Sequence, residues 1–219
     1  MGVRSLWQVS ATMLAMLILV NLVLTSLGNT AWLVLDLAAI ALTMFFCFRQ
    51  GANLGHGACG VLSNIRDIEK SDPRSFQQLD RSYLSQAWSV STGLRGVLAG
   101  ALIPYAVGGV YIILSLLTVR MPGMNTPATV ARVGAWILSL PYWPLVMNGH
   151  ESFVRLTPDI VAMLLISPFV LPLCTFAGYM QGPKLWARSE EAMKQGRRRA
   201  KARARVGKKL APKVQKPEI

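Results

Sequence analysis

Four long apolar stretches divide this chain and limit the folds that it can adopt. They cover residues 6–27, 31–48, 97–119 and 160–180. A helix of about 20 residues crosses the ~30 Å hydrocarbon core of a bilayer, and each stretch is close to that length. Only 15% of the residues are charged, whereas soluble domains have nearer a quarter. The sequence therefore predicts an all-α, multi-pass membrane protein, and it argues against a soluble enzyme or a disordered chain.

Charge is distributed very unevenly along the chain. From Lys184 onward there are 13 Lys/Arg and 3 Asp/Glu, whereas the preceding residues contain 10 Lys/Arg and 7 Asp/Glu. Long runs of like charge repel one another and are typical of solvated interaction tails. We therefore expect a membrane domain at 1–183 and a disordered basic tail at 184–219.

A weaker apolar segment, residues 129–147, interrupts this simple plan. It contains Pro141 and Pro144 and three Trp/Tyr residues, and both features are unusual within a regular span. Three interpretations are open: an interfacial segment, a re-entrant segment or a fifth span. Cytoplasmic loops carry the excess of Lys/Arg. Four spans with both ends inside place 20 basic residues inside and 3 outside, whereas five spans with the tail inside give 15 and 8. The sequence favours four spans in the cell membrane, with cytoplasmic N- and C-termini.

Residues 49–95, between the second and third spans, have the pattern of a helical hairpin. Two apolar stripes recur every three or four positions, as in a coiled coil. Between them, Ser71-Asp72-Pro73 is typical of a helix stop followed by an N-cap and a proline at the first helical position. This predicts a cytoplasmic antiparallel hairpin that continues spans two and three.

Folding the chain back at Asp72 sets the register of this hairpin. Ile65 then faces Leu79, and Arg49 faces Arg95 as an interfacial basic pair at the headgroup layer. The glycines in the first arm weaken its helix, since each costs roughly 0.5–1 kcal/mol relative to alanine. The spacing Gly51-x3-Gly55 also allows another helix to approach closely.

Motif searches provide no catalytic assignment. Residues 55–60 spell G-x-G-x-x-G, but the dinucleotide fingerprint requires a preceding strand, and here a membrane helix precedes it. His150-Glu151 begins like the zinc-protease motif H-E-x-x-H, but position 154 is Val, so the second ligand is missing. We therefore expect no enzyme activity, no cofactor and no metal site.

Asn21 and Asp36 are the polar residues of interest within the first two spans. Each lies 7.5 positions from the centre of the Gly28-Asn29-Thr30 turn, so they share a depth about 10 Å below it. An ionisable residue in a span is a functional-site candidate. A hydrogen bond that joins the two helices is the alternative, and with no basic partner in the spans it is favoured over ion or proton transport.

The tail contains a dense basic cluster immediately after the last span. Its members are Arg197, Arg198, Arg199, Lys201, Arg203, Arg205, Lys208 and Lys209. Such clusters bind anionic lipids, and they also bind nucleic-acid phosphates without sequence preference. The expected partners are the bilayer with its anionic lipids and a cytoplasmic protein or the ribosome. No sequence-specific nucleic-acid binding is expected.

Three function classes remain open. The first is a non-catalytic adaptor or accessory subunit that presents the hairpin and the polybasic tail to a partner or to anionic lipid. The second is an insertase-like factor with a ribosome-binding tail, because three spans, a hairpin and a basic tail are similar in layout to YidC-type insertases. The third is a small transporter that uses Asp36. A tightly packed bundle favours the adaptor, whereas a polar cavity among the spans favours the other two.

Overall fold

The computed structural model describes residues 2–24, 29–118, 125–139, 142 and 158–210, and these residues form helices and the turns between them. No strand occurs in these ranges. The helices, in chain order, are α1 (Gly2–Leu24), α2 (Asn29–Ser71), α3 (Pro73–Gln77), α4 (Arg81–Leu84), α5 (Val90–Thr118), α6 (Asn125–Ser139), α7 (Pro158–Tyr179) and α8 (Gly182–Leu210).

Four helical stretches are long and apolar enough to cross a membrane. They are Leu6–Val23, Val34–Ser71, Val90–Leu117 and Ile160–Lys201. Large apolar side chains such as Leu19 and Leu102 are exposed on the outside of the bundle, where lipid tails would contact them. The predicted multi-pass, all-helical membrane fold is confirmed at this level.

The segment of 129–147 contributes a short helix to the bundle. Helix α6 has 15 residues, so it is about 22 Å long and shorter than the bilayer core. Residues 140–141 and 143–157 lie outside the described residues, so the three interpretations of this segment stay predictions. Ala135 of α6 and Tyr142 are buried with Tyr111 of α5 and with α7 residues, which ties the segment to the core.

Helix α2 runs through the first arm of the predicted hairpin. It has 43 residues and a length of about 65 Å, twice the thickness of the bilayer core, so the second span and the first arm are one continuous helix. It ends at Ser71, as predicted. The Asp72 side chain then accepts hydrogen bonds from the backbone N–H groups of Arg74 and Ser75 at 3.1 and 3.4 Å, with Pro73 at the first position of α3.

The prediction of a continuous second arm is wrong. The returning chain forms the short helices α3 and α4, and regular helix resumes only at Val90. Local side-chain hydrogen bonds explain the interruption. Asp80 accepts from the N–H of Ser82 at 3.1 Å, and Ser85 donates its hydroxyl to the Ser82 carbonyl at 2.8 Å. Such bonds compete with a regular helix.

Helix α7 occupies the centre of the bundle. It packs against α1, α2 and α5, and α6 packs mainly on α5. Extensive contacts connect α2 to α1, α7 and α8, and connect α5 to α1, α6 and α7. The returning α5 therefore does not pair with α2 along its length, as the hairpin would require.

The prediction of a disordered tail is wrong for residues 184–210, which belong to α8. The segment consists largely of Ala, Arg, Lys, Glu, Leu and Met, which have high helix propensities, and no proline occurs between Pro183 and Pro212. Glu190 and Lys194 form an i,i+4 ion pair of 2.8 Å, in the favourable order. Residues 211–219 of the predicted tail lie outside the described residues.

Candidate functional site

The first candidate site is where α2 and α8 leave the bundle together. We call residues 49–71 of α2 and 182–210 of α8 the helical extension. At its base, a Cβ atom on Gly51 would overlap the Thr175 carbonyl, and one on Gly55 would overlap the Tyr179 carbonyl. Only glycine permits this backbone approach, so the close helix contact predicted from Gly51-x3-Gly55 is confirmed.

The glycines of the other helix complete the contact. Cβ atoms on Gly178 and Gly182 would overlap the backbone of α2 at Phe48 and Gly55. Residue numbers rise along both helices in the same direction, because Gly182 meets Gly55 and Trp186 meets Gly60. Helix α8 therefore begins parallel to α2 and runs along it away from the apolar spans.

Side chains fasten the first turns of α8 to α2. The His56 and Trp186 rings are 5.2 Å apart between centroids, and His56 Nε2 lies 3.1 Å from Ser189 Oγ. A Cβ atom on Gly60 would lie 3.0 Å from the Trp186 ring, so the absence of a side chain there makes room for the indole. These contacts fix the direction in which α8 starts.

Tyr179 joins the returning chain to the same junction. It is buried, its hydroxyl accepts a hydrogen bond from the Ser89 N–H at 3.3 Å, and its carbonyl accepts one from Trp88 Nε1 at 3.4 Å. The Trp88 and Tyr179 rings stack with centroids 6.2 Å apart. The backbone N–H of Trp88 donates to the Ala58 carbonyl of α2 at 3.1 Å. The return of the chain toward α2 is thus anchored by Trp88, not by paired helical stripes.

The basic cluster follows the turns of α8 that contact α2 through Trp186 and Ser189. Residues 190–201 are exposed, and among them Arg197, Arg198, Arg199 and Lys201 extend into solvent. Arg203, Arg205, Lys208 and Lys209 continue the same helix. From Ala192 to Lys209 there is no acidic residue. The extension therefore presents a continuous and strongly basic helix.

Arg49 and Arg95 lie on two different helices of the bundle. Both side chains are exposed, and they belong to α2 and α5, which each pack on α7. Their assignment as a basic pair at the headgroup layer stays a prediction.

The second candidate site is inside the bundle. Asn21 and Asp36 are fully buried and adjacent, as their common depth predicts. The Asn21 amide donates to the Leu17 carbonyl at 3.3 Å, but its Oδ1 and both Asp36 carboxyl oxygens have no hydrogen-bonding partner. Tyr142 Oη is also buried and has no hydrogen-bonding partner. Whether this pair acts as a structural lock stays a prediction.

A cavity lies beside Tyr142, and sequence reasoning missed it. It has a volume of about 20 Å³, room for about one water molecule, and lies partly open to the surroundings between α1, α5, α6 and α7. Its lining residues are Ser10, Leu14, Gly100, Pro104, Ala135, Leu138, Ser139, Tyr142, Leu164, Ser167, Pro168, Leu171 and Pro172. Three prolines within two apolar spans could have indicated this cavity from the sequence, because intrahelical prolines disturb helix packing and hydrogen bonding.

Comparison of the chain with models of protein families, with curated proteins and with solved structures finds no match. Function must therefore be argued from the two sites themselves. Among the described residues, no three His, Cys, Asp or Glu side chains lie together as metal ligands.

Proposed function

We propose that this protein is a membrane-anchored adaptor that uses the helical extension to hold a polyanionic partner outside the bilayer. The observation that carries the proposal is the attachment of α8 to α2. A flexible basic tail could settle onto its own membrane, whereas a helix held by His56, Trp186 and Ser189 has a set direction. The basic cluster is thus presented as a fixed surface.

The length of the extension favours a partner in the aqueous phase over the membrane's own anionic lipids. Gly55 is seven residues beyond Phe48, where the predicted second span ends, and it lies beside Gly182. Arg197 follows Gly182 by 15 residues, which adds about 22 Å of helix. Because α8 starts parallel to α2, the cluster is held several Debye lengths from the headgroups, at about 8 Å each under physiological salt.

The composition of the cluster indicates the chemistry of the partner. Five of its eight basic residues are Arg, whose planar guanidinium binds phosphate oxygens in a bidentate manner. Alanines separate several of these basic residues, so no aromatic side chain is available to stack on bases. This surface fits the phosphate backbone of structured RNA, bound without sequence preference, as on a ribosome.

The proposal is tested with the full chain in nanodiscs of zwitterionic lipid and a fluorescent RNA hairpin. Arg197, Arg198 and Arg199 changed together to Gln should weaken binding and lower the slope of log K against log salt by about 2–3, because each phosphate contact contributes about 0.7–0.9. The matched control changes three exposed arginines of α2–α4, Arg66, Arg74 and Arg81, to Gln with the same loss of charge.

Two outcomes would refute this adaptor. One is equal RNA binding by the two triple variants, which would make net charge alone responsible. The other is that the Arg197–Arg199 variant loses affinity only for nanodiscs or vesicles containing anionic lipid, which would make the cluster a lipid anchor.

The proposal also includes the orientation, since the extension must be cytoplasmic to meet RNA. In a variant without the native cysteines, a cysteine at Ser71 or Gln195 should resist a membrane-impermeant thiol reagent in intact cells. One at Asn125, at the opposite end of the spans, should react. Labelling of Gln195→Cys from outside would place the extension on the wrong side of the membrane.

A further inference from the structure

Asp36 is a buried acid within a span, and the adaptor proposal leaves it without a role. It belongs to the apolar part of α2, and its side chain is 0% exposed. No Lys, Arg or His is among the buried residues of the described chain, so no buried side chain there offsets a negative charge. Buried charges in proteins are paired with an opposite charge or bind a metal ion. An acid in this position is therefore a candidate binding site.

Asn21 of α1 adds a further oxygen acceptor beside this acid. Its side chain is also 0% exposed, and it faces Asp36 where α1 packs on α2. The Asn21 amide nitrogen donates to the Leu17 carbonyl at 3.3 Å. Asn21 Oδ1 and both carboxyl oxygens of Asp36 accept no hydrogen bond from the described residues. Backbone N–H groups inside α1 and α2 donate to carbonyls of their own helix, so they do not serve these three oxygens.

The chemistry of these three oxygens indicates a hard cation. Carboxylate and amide oxygens are the ligands that alkali and alkaline-earth cations prefer, whereas softer metals prefer Cys and His. Asp36 supplies one negative charge, which a monovalent cation neutralises and a divalent cation would exceed. We propose that Asn21 and Asp36 bind a monovalent alkali-metal cation between α1 and α2, with the charge supplied by Asp36 and a further ligand by Asn21 Oδ1.

Such a cation would join the first two spans. Its ligands come from both helices, so it binds the packed pair and not separated spans. A ligand that binds only the folded state raises stability in proportion to the logarithm of its concentration once it exceeds its Kd. Without the cation, the same two side chains only contact each other. Stability should therefore depend on the alkali cation present.

The test measures thermal unfolding of the purified full chain in detergent, in sodium, potassium or N-methyl-D-glucamine chloride at constant ionic strength. The midpoint should be higher in at least one of the two alkali chlorides than in N-methyl-D-glucamine chloride. The rise should reach about 5–10 °C when the cation exceeds its Kd a hundredfold.

Variants at the two ligands assign the response to this site. Asp36→Asn should abolish the response to the alkali cation. It should not unfold earlier than wild type in N-methyl-D-glucamine chloride, because its amide can donate to Asn21 Oδ1. Asn21→Leu should raise the concentration needed for half of the effect at least about tenfold. Thr43→Val is the matched control and should keep the full response. Its hydroxyl donates to the Ala39 carbonyl at 2.7 Å, about 10 Å along α2 from Asp36.

Three results would overturn the proposal. One is an equal midpoint in all three chlorides; if lower pH then raises the midpoint, a proton occupies the place of the cation. Another is an undiminished alkali response in Asp36→Asn, which would place the ion elsewhere. The third is an equal loss of response in Thr43→Val, which would make it a property of general packing. RNA binding by α8 is measured separately and does not depend on the result.

Discussion

His56 Nε2 lies 3.1 Å from Ser189 Oγ, across 133 positions of sequence, and this contact connects α2 to the helix that follows the last span. Which atom donates depends on the tautomer of the imidazole. Together with the tilted contact between the Trp186 and His56 rings, it makes α8 the partner of the first arm. The glycines beside this contact allow the two backbones to approach, and they provide the first prediction.

Gly55→Ala is expected to destabilise the protein, although alanine is the better helix former. Its Cβ would overlap the Tyr179 carbonyl and approach Gly182, so α7 and α8 would have to move away from α2. Gly57→Ala is the matched control, because no atom lies within 4 Å of its Cβ position. The control should raise stability by about 0.5–1 kcal/mol through backbone entropy. Thermal unfolding in detergent measures both variants, and equal signs for the two would contradict the close contact.

Tyr179→Phe is expected to loosen the connection between the returning chain and the junction. It removes the acceptor for the Ser89 N–H and leaves that donor without its partner, at a cost of about 1–3 kcal/mol. The stacking on Trp88 should be retained, since the ring remains. Hydrogen exchange should therefore speed up at the start of α5 and not in its middle. Unchanged exchange at Ser89 would mean that the Tyr179 hydroxyl does not hold this turn.

The turn between the arms should weaken in acid. The Ser75 hydroxyl and N–H hold the pKa of Asp72 below its usual range, and those of Ser82 do the same for Asp80. A lowered pKa means that the ionised form stabilises the folded turn. This contribution is complete above the ordinary aspartate pKa and is lost as pH falls through the lowered folded value.

A spin label at Gln78 reports the effect, and its mobility should rise below about pH 4, the ordinary aspartate range. Asp72→Asn with Asp80→Asn is the control, because asparagine also caps helices but does not titrate in this range. The double variant should therefore show the same mobility at pH 3 and pH 6. An equal acid response in wild type and variant would assign the transition to other groups.

The sequence predicted the contact made by Gly51 and Gly55 but not the helix that makes it. The apolar stripe at 76–94 has helical spacing, and nothing in that spacing reveals that Asp80 and Ser85 will bond to the local backbone. Val90, within the stripe, is 49% exposed. The helix that packs on the first arm is α8, and the sequence did not reveal it. A run of like charge suggests disorder, even where its Ala, Arg and Lys residues are strong helix formers.

For the buried site, too, the sequence predicted a relationship set by helix geometry but not one set by the packing of several helices. Helical rise alone places Asn21 and Asp36 at one depth, so their adjacency could be predicted. The cavity could not, because it depends on how α5, α6 and α7 come together around Pro104, Pro168 and Tyr142. A pattern within one helix does not determine which side of it will be left unfilled.

Asp36→Asn tests whether the buried pair is a structural lock. Asn21 Oδ1 has no hydrogen-bond donor in the structure. An amide at position 36 can donate to Asn21 Oδ1, so the substitution should raise stability by about 1 kcal/mol, the net value of one hydrogen bond. Asp36→Leu is the control: it removes the buried carboxyl but leaves Asn21 Oδ1 unpaired, so it should be less stable than Asp36→Asn. The measurement is the midpoint of thermal unfolding in a fixed detergent and buffer. If Asp36→Asn instead lowers the midpoint as much as Asp36→Leu, the carboxyl must have a partner that the amide cannot replace, and the interpretation as a lock between α1 and α2 fails.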